Sequence, residues 1–534
     1  MNDLNIVQRF KMVNIIQGLM VFSALIAVCS LVCAAAGDKA KDPLLFPKDN
    51  FSIETMTVQT SAGVKKVTYR SYKHILYVTK SVDKDYESLN VSVPIKVDDK
   101  DIDATNAPIL FANGAAGYMS FNNATRGIGM NNANQGDTDR GAPGSQGGPG
   151  VQSGPGGMVG SPADGGAPPS DNKAPALAAG FVVVEPGCRG RDNKASDGTY
   201  FGKAPAAIVD LKAAVRYIRH NKGVMPGNVD WIVSTGCSAG GGLSSLLGAS
   251  GNSHMFDSYL KEIGAADGDD SIFAAACYSP VTDLDHADMA YEWMYGPAPL
   301  SSTGKLADQT LSKQLKALFI TYQASLNLKG RDNFGTITSD NYDKYLLKYY
   351  LIPSATKYLK ELSDDARNKY LEKHKWITWS NNSAVFTFSD YLVNGGRVKG
   401  VPSVDDLELK TPEAALFGNK TTDARHFTNF SLQQATGDKN AKVDNDLQTV
   451  VNMMNPMYFI GQNNPGCAKH WWIRQGAGDR GISQANTINI ATGLENHNKD
   501  VNMWLFWDAT HCQDDDTEGF IAWIVDITGF EPVK

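Results

Sequence analysis

Positive charge is in short supply in this chain. Its 50 lysines and arginines stand against 57 acidic residues, for a net charge of −7, so it carries no basic footprint for nucleic acid. Beyond residues 13–36 no apolar stretch is long enough to span a bilayer, and the mature chain is expected to be soluble, without a membrane partner. No internal repeat is evident. Metal-ligand clusters are missing too. Of the nine histidines, His286 in Asp283-Leu284-Asp285-His286-Ala287-Asp288 has the most metal-like surroundings. No second histidine or cysteine stands at ligand spacing, so a structural hydrogen-bonding role is expected there rather than a metal site.

What the chain does have is 42% hydrophobic residues over a length of 534, enough for a large α/β core with a substantial insertion. Arg9 and Lys11 precede the nearly uncharged residues 13–36, which end in Ala34-Ala35-Ala36-Gly37. A basic segment, an apolar segment and small residues in that order read as a signal peptide over residues 1–36, with export to the periplasm, cell envelope or medium. The apolar run is long for a signal, which leaves an uncleaved anchor as the alternative.

Residues 51–95 read as short strands separated by polar turns, the antiparallel edge of a mixed sheet. Pro108-Ile109-Leu110-Phe111-Ala112 is a buried-strand run ending in the small-residue loop Asn113-Gly114-Ala115-Ala116-Gly117-Tyr118. Residues from about 136 to 167 are Gly, Pro, Ser and Ala with almost nothing to bury, a surface insertion able to serve as a flap or a linker. A second buried run at residues 180–184 is followed by a helix opening at Pro205, with Ile208, Leu211, Val215 and Ile218 at helical spacing. Further strands are expected at 272–278, 470–474 and 501–506, and a closing helix at 520–525. Strands alternating with helices imply an α/β fold with a mainly parallel, doubly covered sheet. Between about 288 and 450 the texture turns to charged, aromatic-rich helical segments, such as 345–349 and 358–368. The expected organisation is a core in two parts, 37–287 and 451–534, with residues 288–450 inserted as a cap or lid.

The most informative stretch is Trp231-Ile232-Val233-Ser234-Thr235-Gly236-Cys237-Ser238-Ala239-Gly240-Gly241-Gly242, an apolar strand running through a glycine-flanked serine into a helix. A serine on such a turn is a nucleophile elbow, and glycines two positions either side are needed because strand and helix converge there. The helix start puts the Ala239 amide near Ser238 as an oxyanion donor. The loop holding Gly114, Ala115 and Ala116 is placed to supply a second amide. An ordinary tight turn with a capping serine is the plain alternative.

A serine needs a histidine to take its proton and an acid to orient that histidine. Two later strand ends carry them: Gly476-Ala477-Gly478-Asp479 and Trp507-Asp508-Ala509-Thr510-His511. Asp479 is assigned as the acid and His511 as the base. Asp508 and the run Asp514-Asp515-Asp516 are rivals, but they lie too near His511 to come from a separate strand end, and the run suits the start of the final helix. Five of the seven cysteines lie beyond the leader: Cys188, Cys237, Cys277, Cys467 and Cys512. Cys237 precedes Ser238 and Cys512 follows His511. If serine and histidine meet, their neighbours fall within disulfide range, and an exported chain permits the bond. The other three allow at most one further pair.

Gly236-Cys237-Ser238-Ala239-Gly240-Gly241, Tyr278-Ser279-Pro280-Val281-Thr282-Asp283-Leu284 leading to Ala290-Tyr291-Glu292-Trp293, and Gly478-Asp479-Arg480-Gly481-Ile482-Ser483 together resemble the bacterial tannase branch of the α/β-hydrolases, within the wider tannase and feruloyl esterase group. The cysteines beside Ser238 and His511 resemble the Cys-Ser, Asp, His-Cys arrangement of fungal tannases and feruloyl esterases. Both resemblances imply an α/β-hydrolase with an inserted cap and hydrolysis of small-molecule phenolic esters, galloyl or related. The first also implies that a cap lysine and glutamate, matched to Lys399 and Glu413, hold acyl hydroxyls. Where the family has a further aspartate two residues past the acid, this chain has Gly481, which implies weaker selectivity for gallate.

The expected chemistry is two-step acyl transfer by Ser238 and His511 without a cofactor. A general carboxylesterase, an acyl-peptidase on the same framework, or a silent surface-binding protein using the Gly/Pro-rich insertion are the competing readings.

Overall fold

Ten strands build the central sheet of the computed structural model, which describes residues 42–122, 172–513 and 516–532. The expected signal peptide and Gly/Pro-rich insertion lie outside the described residues. Phe46–Lys534 make one compact unit, and of the other, Met1–Leu45, the described residues 42–45 form a turn. Numbered along the chain, the sheet strands are β1 (Ser52–Thr60), β2 (Gly63–Leu76), β3 (Ser88–Val97), β4 (Lys100–Asp101) and β5 (Ile109–Ala112). They continue as β6 (Val182–Pro186), β7 (Ile232–Cys237), β8 (Ala274–Tyr278), β9 (His470–Gly476) and β10 (Asp500–Phe506). The order across the sheet is β1-β2-β3-β6-β5-β7-β8-β9-β10, with β4 paired to β3. From β1 to β6 neighbours are antiparallel; from β6 to β10 all are parallel. The α/β fold with a mainly parallel sheet is as the sequence pattern implied.

The inner parallel strands are buried along most of their length because helices cover both faces, and β5 and β8 are wholly or nearly wholly apolar, whereas β9 carries His470, Arg474 and Gln475 and the edge strand β10 is partly exposed. Leu110, Val183, Val233, Ala274 and Ala276 pack in one cluster with the helices Lys173–Ala178 and Thr517–Thr528. Their alternating neighbours Ile109, Phe111, Ile232 and Ala275 are equally buried and point to the other face, as the two-residue strand period dictates. There the helix Ala239–Ala249 brings Gly248 so close to Ala275 that an added Cβ would stand 2.8 Å from the alanine methyl.

Several local expectations need correction. The antiparallel edge is made of long strands, β2 alone running 14 residues. Register shifts between Thr68 and Tyr69 and between Tyr72 and Ile75 break the alternation that a continuous strand would show, and Pro94 is tolerated beside the first of them. Residues 358–368 are not one helix: Ile352–Glu361 ends, Leu362 turns extended, and Ser363 caps a new helix, Asp364–Lys373, by accepting from Ala366 N at 3.3 Å. Residues 345–349 cross from the helix Tyr342–Leu346 into a π-turn, Leu347–Leu351. The drawn edges of the inserted segment fall inside helices, Leu284–Tyr295 at one end and Asn445–Met453 at the other. Among the described residues no helix is long and apolar enough to cross a membrane.

Candidate active site

The polar residues read as functional follow the C-terminal ends of parallel strands, and the register gathers those ends at one edge of the sheet, where open α/β sheets bind ligands. Ala112 pairs with Thr235, Cys237 with Tyr278, Tyr278 lies opposite Arg474, and Gly476 pairs with Phe506. The edge therefore presents, in order, the loop 113–118 after β5, Ser238 after β7, Ser279 after β8, Asp479 after β9 and His511 after β10.

Ser238 is held at φ 58° and ψ −123°, a conformation that persists only where surroundings over-determine it. Its N–H donates to Tyr278 O at 3.0 Å, while its carbonyl accepts from Gly242 N at 2.9 Å and Val281 N at 3.1 Å. A Cβ on Gly236 would stand 2.5 Å from Gly240 O, and one on Gly240 would stand 2.8 Å from Ala115 O. Both positions are thus closed to larger residues. Asn113 ties the small-residue loop to the turn, its amide donating to Ser244 Oγ at 2.8 Å and Gly240 O at 3.0 Å. Ala239 opens the helix, where amide donors have no partner within the helix. Ala115 is buried against that start, Gly114 is covered by the Phe121 ring, and Ala116 is exposed with its carbonyl bonded to Met119 N.

His511 Nδ1 lies 2.8 Å from Asp479 Oδ2, and His511 Nε2 is buried with no hydrogen-bond partner among the described residues. Asp479 is 1% exposed and accepts from Gly481 N at 3.0 Å. Burial alone would raise its pKa, but His511, the Gly481 amide and the Ser279 hydroxyl outweigh burial and hold the carboxyl below its usual value. Burial pulls His511 down, and the Asp479 carboxylate more than reverses that, so the imidazole ends above its ordinary value; Lys399 opposes the rise. The rival acids lie elsewhere. Asp508 accepts from Tyr358 OH at 3.0 Å, Asp516 lies 3.7 Å from Arg474, and Asp514 and Asp515 are outside the described residues. Cys237 and Cys512 form a disulfide with their Cα atoms 5.9 Å apart, while Cys188, Cys277 and Cys467 are free thiols.

Lys399 and Glu413 come to this edge on the inserted segment. Arg397 is fully buried and grips Glu292 through two hydrogen bonds, 2.6 and 3.0 Å, while its Nε donates to Lys399 O at 2.9 Å. Such a pair is costly to break on one side, because the remaining charge is left buried. Glu413 sits in the short helix Pro412–Leu416, capped by Thr411. Burial raises the Glu413 pKa and lowers that of Lys399, and each charge opposes the shift of the other. His286 is stacked on Tyr322 at 3.7 Å and bonded to Asp283 at 2.7 Å. It belongs to a buried network in which Asp283 also accepts from Tyr322 and Asn455; Asp283, Asp285 and His286 are near enough together to suit a cation but are engaged with one another.

The comparisons bear on this geometry directly. The BD-FAE family matches residues 172–319. The esterase LipQ of Mycobacterium tuberculosis is 39% identical over 90 residues, 17% of this chain and 20% of the esterase's own length. The crystal structure of Fusobacterium nucleatum tannase superposes with a TM-score of 0.72 at 33% identity, covering 91% of this chain and 99% of that one. The native tannin acyl hydrolase of Lactobacillus plantarum gives 0.72 at 32%, covering 91% and 98%. The chain belongs to the bacterial tannase branch of the α/β-hydrolases. Membership of that branch makes it a carboxylic ester hydrolase.

Within this tannase-family site, sequence reasoning passed over two sets of residues. Ser279 stands at a strand end exactly as Ser238 and Asp479 do, and that position was the available signal. The second set has no local signal: Tyr391 OH donates to Ala477 O at 2.6 Å, Tyr291 OH to Arg480 O at 3.0 Å, and Tyr295 OH to Gln484 Oε1 at 2.7 Å. All three hydroxyls come from the inserted segment, residues 288–450, and they hydrogen-bond the loop that carries Asp479.

Proposed function

We propose that this protein is an exported serine esterase that hydrolyses small esters of phenolic acids through an acyl-enzyme. The observation that carries the reading is the Asp479–His511 pair, with a free Nε2, on the strand ends next to a serine held at positive φ. The bridge between Cys237 and Cys512 supports the closeness of Ser238 and His511, and it suits an oxidising compartment. In this reading Ser238 attacks the ester carbonyl as His511 Nε2 takes its proton. Amides of Ala239 and the 114–116 loop stabilise the oxyanion, His511 protonates the departing alcohol, and it then activates water against the acyl-enzyme. Residues 288–450 act as the cap over the acyl group.

Solved tannin acyl hydrolase structures hold 3,4-dihydroxybenzoate and ethyl gallate, which supports a hydroxylated benzoyl ester as the substrate class. Lys399 and Glu413 are the residues to recognise ring hydroxyls. Gly481 offers no side chain for this, and a site lacking a hydrogen-bonding partner rejects less hydroxylated analogues only weakly. The test is one panel of methyl gallate, methyl ferulate, methyl benzoate and an aminoacyl anilide. Hydrolysis of the first three within about two orders of magnitude of one another, with the anilide inert, is the expected result; a preference for the anilide would replace the reading with a peptidase. Gly481 is not held at positive φ, so Gly481→Asp is conformationally allowed and should shift the balance towards gallate. If the unmodified enzyme already rejects methyl benzoate and methyl ferulate by several orders of magnitude, the account of Gly481 is wrong.

The pH dependence follows from the raised His511 pKa. Only the neutral imidazole can accept the serine proton, so kcat/KM should fall as pH drops, with its acid limb above about 6.5, the ordinary histidine value. The linked stability runs the other way: this histidine stabilises the fold fully below its unfolded pKa, and that contribution is lost as pH rises through the folded pKa. Asp479→Asn removes the charge that raises the value and should move the limb to lower pH; an unmoved limb would show that Asp479 does not tune His511.

A further inference from the structure

The stretch 398–400 is held from inside the protein rather than by its own side chains. Val398 is 53% exposed and Gly400 is exposed as well, so neither anchors the stretch in the core. The main chain is gripped instead. The N–H groups of Val398 and Lys399 donate to the Tyr291 hydroxyl at 3.4 and 3.3 Å. Arg397 takes the carbonyls, its Nε donating to Lys399 O at 2.9 Å and its Nη2 to Gly400 O at 2.8 Å. The far side of the guanidinium donates to both carboxylate oxygens of Glu292, the residue next to Tyr291 in the helix Leu284–Tyr295. One planar group thus makes four hydrogen bonds in fixed directions, which a flexible ammonium cannot match. The Tyr291 hydroxyl gives its single proton to Arg480 O at 3.0 Å, one residue past Asp479.

We propose that Arg397 is a positioning residue for specificity: with Glu292 and the Tyr291 hydroxyl it fixes the main chain at Lys399, and so sets where that lysine presents its ammonium to a ring hydroxyl of the substrate. This rests on the reading of Lys399 given above. Arg397, Glu292 and Tyr291 are 0%, 1% and 2% exposed, so the grip is not loosened by water. A buried ion pair is seldom more stabilising than apolar residues of the same volume, and stability alone therefore does not account for this one. What the guanidinium adds is a rigid fork that holds two consecutive carbonyls. The Lys399 ammonium itself has no hydrogen-bond or ion-pair partner among the described residues, which leaves it open to a ligand. Hydrogen bonds weaken steeply with distance and angle, so the lysine can read a hydroxyl only if its backbone stays in place. Through Tyr291, that backbone is tied to the loop carrying the acid, and a phenol ring held by Lys399 keeps a set distance from the chemistry.

The experiment measures the ratio of kcat/KM for methyl gallate to that for methyl benzoate, in which a general loss of activity cancels. Arg397→Lys keeps a cation against Glu292 but cannot reach both carbonyls. It should lower the ratio about tenfold, with the loss on methyl gallate in KM rather than kcat. Tyr291→Phe keeps the ring, disturbs no buried charge and removes only the hydroxyl, and it should lower the ratio about threefold. Lys399→Ala should lower the ratio at least as far as either, and in that background neither substitution should lower it further. An unaltered ratio in Arg397→Lys, whatever happens to total activity, overturns the proposal, and so does a further fall in the Lys399→Ala background. Should Arg397→Lys fail to fold, Tyr291→Phe is judged by the same two criteria. Lys399→Ala run alone separates the two levels. If it leaves the ratio unchanged, the reading of Lys399 fails and the proposal with it, whereas a lowered ratio there beside an unaltered Arg397→Lys removes only the role of Arg397.

Discussion

Ser238→Ala and His511→Ala are each expected to lower kcat on a phenolic methyl ester by a factor on the order of 10⁵, with the thermal unfolding midpoint little changed. The size follows from cooperation within the set: serine is a weak nucleophile without its base, and the base has nothing to activate without the serine, so either loss removes nearly the whole chemical gain. What survives is binding and oxyanion stabilisation by amides that neither substitution touches. Asp479→Asn should be milder, roughly 10⁴-fold, because the acid orients and charges the imidazole but takes no proton. Its buried position, with bonds to His511 and Gly481 N, means the asparagine must present its amide or its oxygen to the ring, and the wrong choice fixes the wrong tautomer. Steady-state kinetics with titration by a serine-directed phosphonate checks all three. Turnover like that of the unmodified enzyme in any of them would dismantle the assignment.

Breaking the Cys237–Cys512 bridge should be the next largest effect. The bond spans 275 residues of sequence and joins the nucleophile turn to the base loop, so it constrains both the unfolded chain and the active geometry. Reduction, or Cys512→Ser, is expected to cost about 2–4 kcal/mol of stability, towards the upper end because the closed loop is long. It should also lower kcat by about 100-fold if the serine and the histidine separate by as little as an ångström. The Cys512 amide keeps its bond to Ser279, so the loop should loosen without detaching. Peptide mapping without reduction would recover the linked pair, and full activity after complete reduction of that pair would show that the bridge does not hold the site.

How far the sequence could be read depended on how local the physics was. The turn around Ser238 was legible because strand, glycines and helix start occupy a dozen consecutive positions and each has a steric reason to be there. Asp479 and His511 were reachable by strand-end logic, since a polar residue following a buried run must sit at an edge of the sheet. The bridge was legible only as a consequence of those placements. Ser279 met the same strand-end criterion, yet serine is so common after strands that its bonds to Arg474 O and the Cys512 amide could be seen only with β9 and β10 in place. The clamp of Tyr291, Tyr295 and Tyr391 on the acid loop joins positions 86 to 189 residues apart and leaves no periodic trace. In the inserted segment the miss was of another kind: Ser363 followed by Asp364 and Asp365 is a helix-start signal that lay inside an otherwise helical pattern. The bulges of β2 likewise hid a long strand behind broken alternation.

The three tyrosine hydroxyls have a consequence for how such a protein can be re-engineered. A cap that only covered a pocket could be exchanged between relatives as a module, with the core left to do the chemistry. Here residues 288–450, proposed above as the cap, supply through Tyr391, Tyr291 and Tyr295 hydrogen bonds to Ala477, Arg480 and Gln484, on either side of Asp479. A chimaera that imports residues 288–450 without the matching 477–484 loop therefore inherits an acid held by the wrong neighbours. If the cap sets specificity as proposed, then specificity and the orientation of Asp479 share one stretch of chain, and the smallest unit that can be transplanted is the two segments together.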